Sequence, residues 1–148
     1  MKIIGEYSFI ITFTNMFINH TTTVTYKNMI TERGLEHFAK KILETEKGTF
    51  KHIIFGTSTE ENKPDYKIKD FKNPYIVETD SYTDGNKIIL VQSNIEGQNI
   101  DGTTEIGTTI ELEDTGEEIL VSRNKHSPIN IPVTSTMTMN YTFTLQGE

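Results

Sequence analysis

Alternation of apolar and polar residues runs through most of the chain, and it predicts strands almost throughout. Tyr7, Phe9, Ile11 and Phe13 recur at every second position among Ser8, Ile10, Thr12 and Thr14. That is the spacing of a strand with one apolar face. Thr21 to Tyr26 is rich in β-branched residues and is predicted to pair back across Asn19-His20 as a hairpin. Lys51 to Phe55 reads as a short buried strand ending at Gly56. Tyr75 to Tyr82 and Lys87 to Ile95 read as two strands joined at Asp84-Gly85-Asn86, where glycine tolerates positive φ. Thr104 to Leu112 and Glu118 to Ser122 flank Asp114-Thr115-Gly116 in the same way. The last strand is the clearest: Met137, Met139, Tyr141, Phe143 and Leu145 alternate with Thr138, Asn140, Thr142 and Thr144.

The period changes to that of a helix once. Leu35, Phe38, Ala39, Ile42 and Leu43 fall on one helical face, opposite Glu36, Lys40, Lys41 and Glu44. Thr31 is the predicted N-cap and Gly48 the predicted stop, which gives a helix over about residues 32–46. Thr57 to Asn73 and Glu96 to Thr103 read as loops, and Pro128 and Pro132 keep Asn124 to Pro132 from being regular strand throughout. The expected fold is mainly β: an antiparallel β-sandwich with one packed helix. Residues 1–28 form an N-terminal hairpin extension and residues 29–148 the sandwich domain, together one unit.

Composition narrows the function more than it identifies it. The chain has 148 residues, 34% of them hydrophobic, so its core is modest and some apolar surface is expected to need a partner. Its net charge of −7 disfavours phosphate backbones and anionic membrane surfaces alike. It has no cysteine, which removes disulfides, thiolate metal sites and cysteine nucleophiles. The apolar start is interrupted by Glu6, Ser8, Thr12, Thr14 and Asn15, unlike a signal peptide, and no run is long enough for a membrane span.

Candidate chemistry is sparse. His20, His37, His52 and His126 are not spaced as metal ligands, and His126 beside Ser127 lacks a nucleophile elbow and an orienting acid. His37 lies next to the apolar helical face and reads as a surface or boundary residue. Glu105, Glu111, Glu113, Asp114, Glu117 and Glu118 form an acidic patch in the sequence. Glu111 and Glu113 share a strand face, yet the run matches neither a glycosidase pair nor a calcium loop, and it reads as a solvated hairpin. No catalytic residue, cofactor site or metal site is expected.

Several short motifs stand in a fixed order: Ile30-Thr31 with Gly34-Leu35; Phe55-Gly56-Thr57; Asp84-Gly85-Asn86; Glu105-Ile106-Gly107; and Arg123 with Ser127-Pro128-Ile129-Asn130 before Ser135. This order, over Met29 to Leu145, resembles the small tail-fibre-like and baseplate-associated structural proteins of tailed bacteriophages. It departs from that family where Gly107 is followed by Thr108-Thr109, and where residues 1–28 precede the usual start. The resemblance implies a non-enzymatic virion protein of the tail, baseplate or fibre attachment region, made in the host cytoplasm. Its implied partners are other tail and baseplate proteins and copies of itself, a trimer first, with no nucleic acid and no membrane insertion. With no receptor-binding shaft after the matched segment, a small attachment or adaptor protein is expected. The alternative is a carbohydrate-binding β-sandwich module presenting Tyr7, Tyr66, Tyr75 or Tyr82, a reading that the lack of tryptophan weakens. The N-terminal hairpin is expected to join the sheet of the last strand, in preference to adding to another subunit.

Overall fold

Nine strands, two α-helices and one 3-10 turn (Ile68–Asp70) carry the fold in the computed structural model, which describes residues 2–14, 19–42, 44–131 and 134–146. Along the first two strands the backbone is described, with the side chains of Ile3 and Ile30. The strands are β1 (Lys2–Thr14), β2 (Asn19–Ile30), β3 (Gly48–Gly56), β4 (Tyr75–Glu78), β5 (Asp80–Asp84), β6 (Lys87–Glu96), β7 (Glu105–Leu112), β8 (Glu118–Lys125) and β9 (Thr136–Gln146). The helices are α1 (Glu32–Ile42) and the single turn α2 (Gly97–Ile100).

Every pairing is antiparallel, in the order β4-β3-β7-β8-β2-β1-β9-β6-β5. This is a β-sandwich: β4-β3-β7-β8 make one layer and β1-β9-β6-β5 the other. One strand and one single-residue break turn the corners between layers. β2 pairs with β1 from Asn19 to Asn28, then gives Met29 and Ile30 to Arg123 and Ser122 of β8. The second corner is Thr79. Tyr75 to Tyr82, expected as one strand, is divided there into β4 beside β3 and β5 beside β6. Thr79 donates its amide to Lys51 O of one layer (3.1 Å) and its hydroxyl to Val91 O of the other (3.3 Å).

The inner faces meet in one core. Ile53, Phe55, Ile106, Ile110, Ile119 and Val121 come from one layer, and Leu90, Met137, Met139, Tyr141 and Phe143 from the other. The predicted apolar face of the last strand is therefore buried, Leu145 partly so. A hydroxyl chain crosses this core, from Thr108 to Ser122 (2.6 Å) to Tyr141 (2.7 Å). Each buried hydroxyl is thereby satisfied without water.

The N-terminal hairpin joins the sheet of the last strand. Lys2 to Thr12 pair with Gln146 to Thr136, setting Phe9 opposite Met139 and Tyr7 opposite Tyr141. Asn19 and His20 are already strand, opposite Thr14 and Phe13, so the hairpin turn is not there. The turn itself, and the side chains of Tyr7, Phe9, Ile11 and Phe13, lie outside the described residues.

The helix differs from expectation in length and rotation. It ends at Ile42, and Glu44, with φ of 57°, takes the left-handed position expected of a glycine. Gly48 opens β3 instead, where an added Cβ would lie 2.4 Å from Ile110 Cγ2. Leu35 is 49% exposed, while His37 is 2% exposed. Leu43 lies outside the described residues. The physical reason is Gly34, which sits so close to β8 that a Cβ would lie 2.5 Å from Val121 O. This backbone approach fixes the rotation of α1 and turns Gly34, His37 and Phe38 inward. Thr31 caps the helix as expected, accepting from Gly34 N (3.0 Å), and its hydroxyl also donates to Leu120 O (2.6 Å). Among the described residues, no helix is long and apolar enough to cross a membrane.

Candidate functional site

The most elaborate polar arrangement lies on the outer face of the β3-β7-β8 layer, under residues 57–74. A bulge in β8 makes it possible. Thr108 pairs with Ser122 and Thr109 with Leu120, so Val121 is an extra residue and the alternation changes phase. Ser122 then turns inward to Tyr141, and Arg123 turns outward, opposite Gly107 and near Glu105. Without the extra residue, strand alternation would drive the guanidinium into the apolar core.

Glu105 and Arg123 are both fully buried. Glu105 Oε1 accepts from Arg123 Nη2 (3.2 Å) and lies 2.9 Å from the Tyr66 hydroxyl. Its Oε2 accepts from the amides of Ser58 (2.7 Å) and Lys72 (3.1 Å). Arg123 Nη1 donates to Glu60 O (2.7 Å) and Asn62 Oδ1 (3.0 Å), and the guanidinium carbon lies 4.1 Å from the Tyr66 ring centre. The Tyr66 hydroxyl also reaches Asp70 O at 2.8 Å, and burial pushes this phenol up. A buried charge pair is tolerable only when its remaining donors and acceptors are matched in this way. Ile54, Tyr66, Phe71 and Leu120 form a small second core beside it.

Glycines make the room. A Cβ on Gly56 would lie 2.5 Å from Glu105 Oε2, and one on Gly107 would lie 2.7 Å from Phe71 Cζ. Four of the five motifs noted in the sequence therefore converge, and Asp84-Gly85-Asn86 lies apart at the β5–β6 turn. Gly56, Glu105, Gly107 and Arg123 build the clamp that holds residues 57–74, and Thr31 and Gly34 dock the helix on the same β8 strand. Ile129 and His126 fasten the following loop through amides given to Thr103 O (3.0 Å) and Thr104 O (2.8 Å).

The acidic patch of the sequence is dispersed. Glu105 serves the clamp, Glu111 pairs with Lys51, and Glu118 accepts from Thr109 (2.6 Å) and meets His52 Nδ1 at 2.6 Å. Burial pushes the Glu118 carboxyl up, but the bonds from Thr109 and His52 outweigh this and its pKa is lowered. Glu113, Asp114 and Glu117 are exposed at the β7–β8 turn. Among the described residues, no group of three or more metal-ligating side chains comes together.

The histidines are distributed similarly. His37 Nδ1 lies 2.8 Å from Glu46 Oε1, and Arg33 holds both oxygens of that carboxylate at 3.1 and 3.0 Å. The Arg33 bonds, with help from His37, lower the Glu46 pKa to about 2. His126 Nδ1 meets Ser127 O at 2.7 Å, so the ring faces the Ser127 main chain, and burial pushes its imidazole down. The His20 side chain is outside the described residues. Of the candidate sugar-stacking rings, Tyr66 is 4% exposed and covered by Arg123, Tyr75 is half-buried, and Tyr82 is 54% exposed. The Tyr7 ring is outside the described residues.

The sequence placed Glu105 among surface acids and missed its partner. The available signal was Glu105 and Arg123 beside Gly107 and Gly56, small residues where a bulky side chain from elsewhere must fit. Compared with known proteins, no family model, curated protein or solved structure matches this chain.

Proposed function

We propose that this chain is a non-enzymatic structural protein of a bacteriophage tail or tail-like particle, working at the baseplate or fibre attachment region through protein–protein contacts. The observation that carries this reading is the destination of the motif residues. Thr31, Gly34, Gly56, Glu105, Gly107 and Arg123 build a buried scaffold, so these residues of the motifs do framework chemistry. Their buried donors and acceptors are matched internally. Leu35, Ile76 and Tyr82 are large apolar side chains left exposed.

The test is the composition of purified particles. Particles banded from an induced culture of the source strain are expected to contain this chain in a fixed ratio to the tail proteins, measured by quantitative mass spectrometry. Complete, infectious particles that lack it would overturn the proposal.

A further inference from the structure

Among the described residues, the strand order leaves one long edge without a partner strand. β2 is bonded to β1 along Asn19–Asn28, but on its other side β8 reaches only Met29 and Ile30. Among the described residues, no other strand pairs with β2. The strands at the two ends of the order are built differently. β4 has four residues and closes with Glu78, and β5 has five residues bounded by Asp80 and Asp84. Short, charged edges resist further pairing. β2 has neither safeguard: His20-Thr21-Thr22-Thr23-Val24-Thr25-Tyr26 contains no proline, glycine or carboxylate. It presents a row of backbone donors and acceptors about 20 Å long.

We propose that a second copy of the chain covers this edge by antiparallel strand pairing, with a two-fold axis at Thr23. The segment is complementary to itself about that residue. Thr22 then faces Val24, Thr21 faces Thr25, His20 faces Tyr26 and Asn19 faces Lys27. The central pairs are β-branched, and no like charges stand opposite each other. Charge favours the same place: the chain carries −7 overall, yet its only formal charge within Asn19–Lys27 is Lys27. Two copies can meet there without bringing their carboxylates together. An open antiparallel edge also satisfies itself under a two-fold axis, since each copy supplies the donors that the other needs. The contact joins the β2-β1-β9-β6-β5 strands of two copies into one continuous sheet. It goes beyond the proposed function, does not depend on a tail setting, and is two-fold where the resemblance implies three-fold.

The absence of cysteine makes the register directly measurable. In the proposed dimer the two Thr23 Cα atoms are about 5 Å apart, within the span of a disulfide. The two Thr21 residues are four positions out of register, about 14 Å apart, and cannot be bridged. The full chain is expected to sediment at twice 16.9 kDa at micromolar concentration. On mild oxidation Thr23→Cys should form a covalent dimer at least about tenfold faster than Thr21→Cys, because only one residue lies on the axis. An equimolar mixture of Thr21→Cys and Thr25→Cys should cross-link to each other. Circular dichroism on the reduced proteins checks that each variant is folded. A wild-type monomer, a trimer, or equal cross-linking of Thr21→Cys and Thr23→Cys would each overturn the proposal.

Discussion

At the scale of the residue, Arg123 and Glu105 show how a buried charge is made acceptable. Their mutual attraction counts less than the filling of every remaining bond, by Ser58 and Lys72 amides on one side and Glu60 O and Asn62 on the other. Arg123→Ala leaves Glu105 buried and short of a partner, and is expected to destabilise the fold by about 3–5 kcal/mol in urea denaturation. The double change Glu105→Leu with Arg123→Met should cost less than the sum of the single changes, because no uncompensated charge remains. Glu46 gives a pH signature. Its pKa falls from an ordinary 4.5 to about 2 in the folded chain, so its contribution to stability is fully present above pH 4.5 and fades as pH falls towards 2. Glu46→Gln should therefore flatten the decline of the urea midpoint across that window, while leaving the position of its onset to other groups such as Glu118.

At the scale of the element, alternation made the strands legible, because the two sheet faces impose period two wherever one face is buried. The β9 pattern translates directly into buried Met137, Met139, Tyr141 and Phe143. Three features were not legible. The bulge at Val121, the corner at Thr79 and the rotation of α1 each depend on what a segment meets, and the segment itself has no distinguishing composition. The clamp was hidden for the same reason: Tyr66, Glu105 and Arg123 each look like surface residues until the bulge and two glycines bring them together. The helix supplies a contrast between two substitutions. Gly34→Ala improves helix propensity by about 1 kcal/mol, yet its methyl would strike Val121 O, so a net loss of about 1–3 kcal/mol is expected by thermal or urea denaturation. Glu44→Gly relieves a left-handed residue at the helix end and should stabilise by about 1 kcal/mol in the same assay.

At the scale of the whole molecule, the hairpin of β1 and β2 protects β9 by becoming the new border of the sheet. Removing residues 1–28 bares the backbone edge of β9 from Thr136 to Gln146. The truncated chain is expected to aggregate, which light scattering during refolding would show; a soluble, folded truncation would count against this account. The corner at Thr79 has a different consequence. Because β4 and β5 lie at opposite ends of the strand order but are consecutive in the chain, the order closes into a loop through a single residue. A two-residue slip of β4 along β3 would drag β5 along β6 by the same distance, so neither ladder can shift alone. The two layers are geared together. Amide exchange at Val77 and at Tyr82, which belong to different layers and face partner strands across the ladder, is therefore expected to proceed with the same opening free energy.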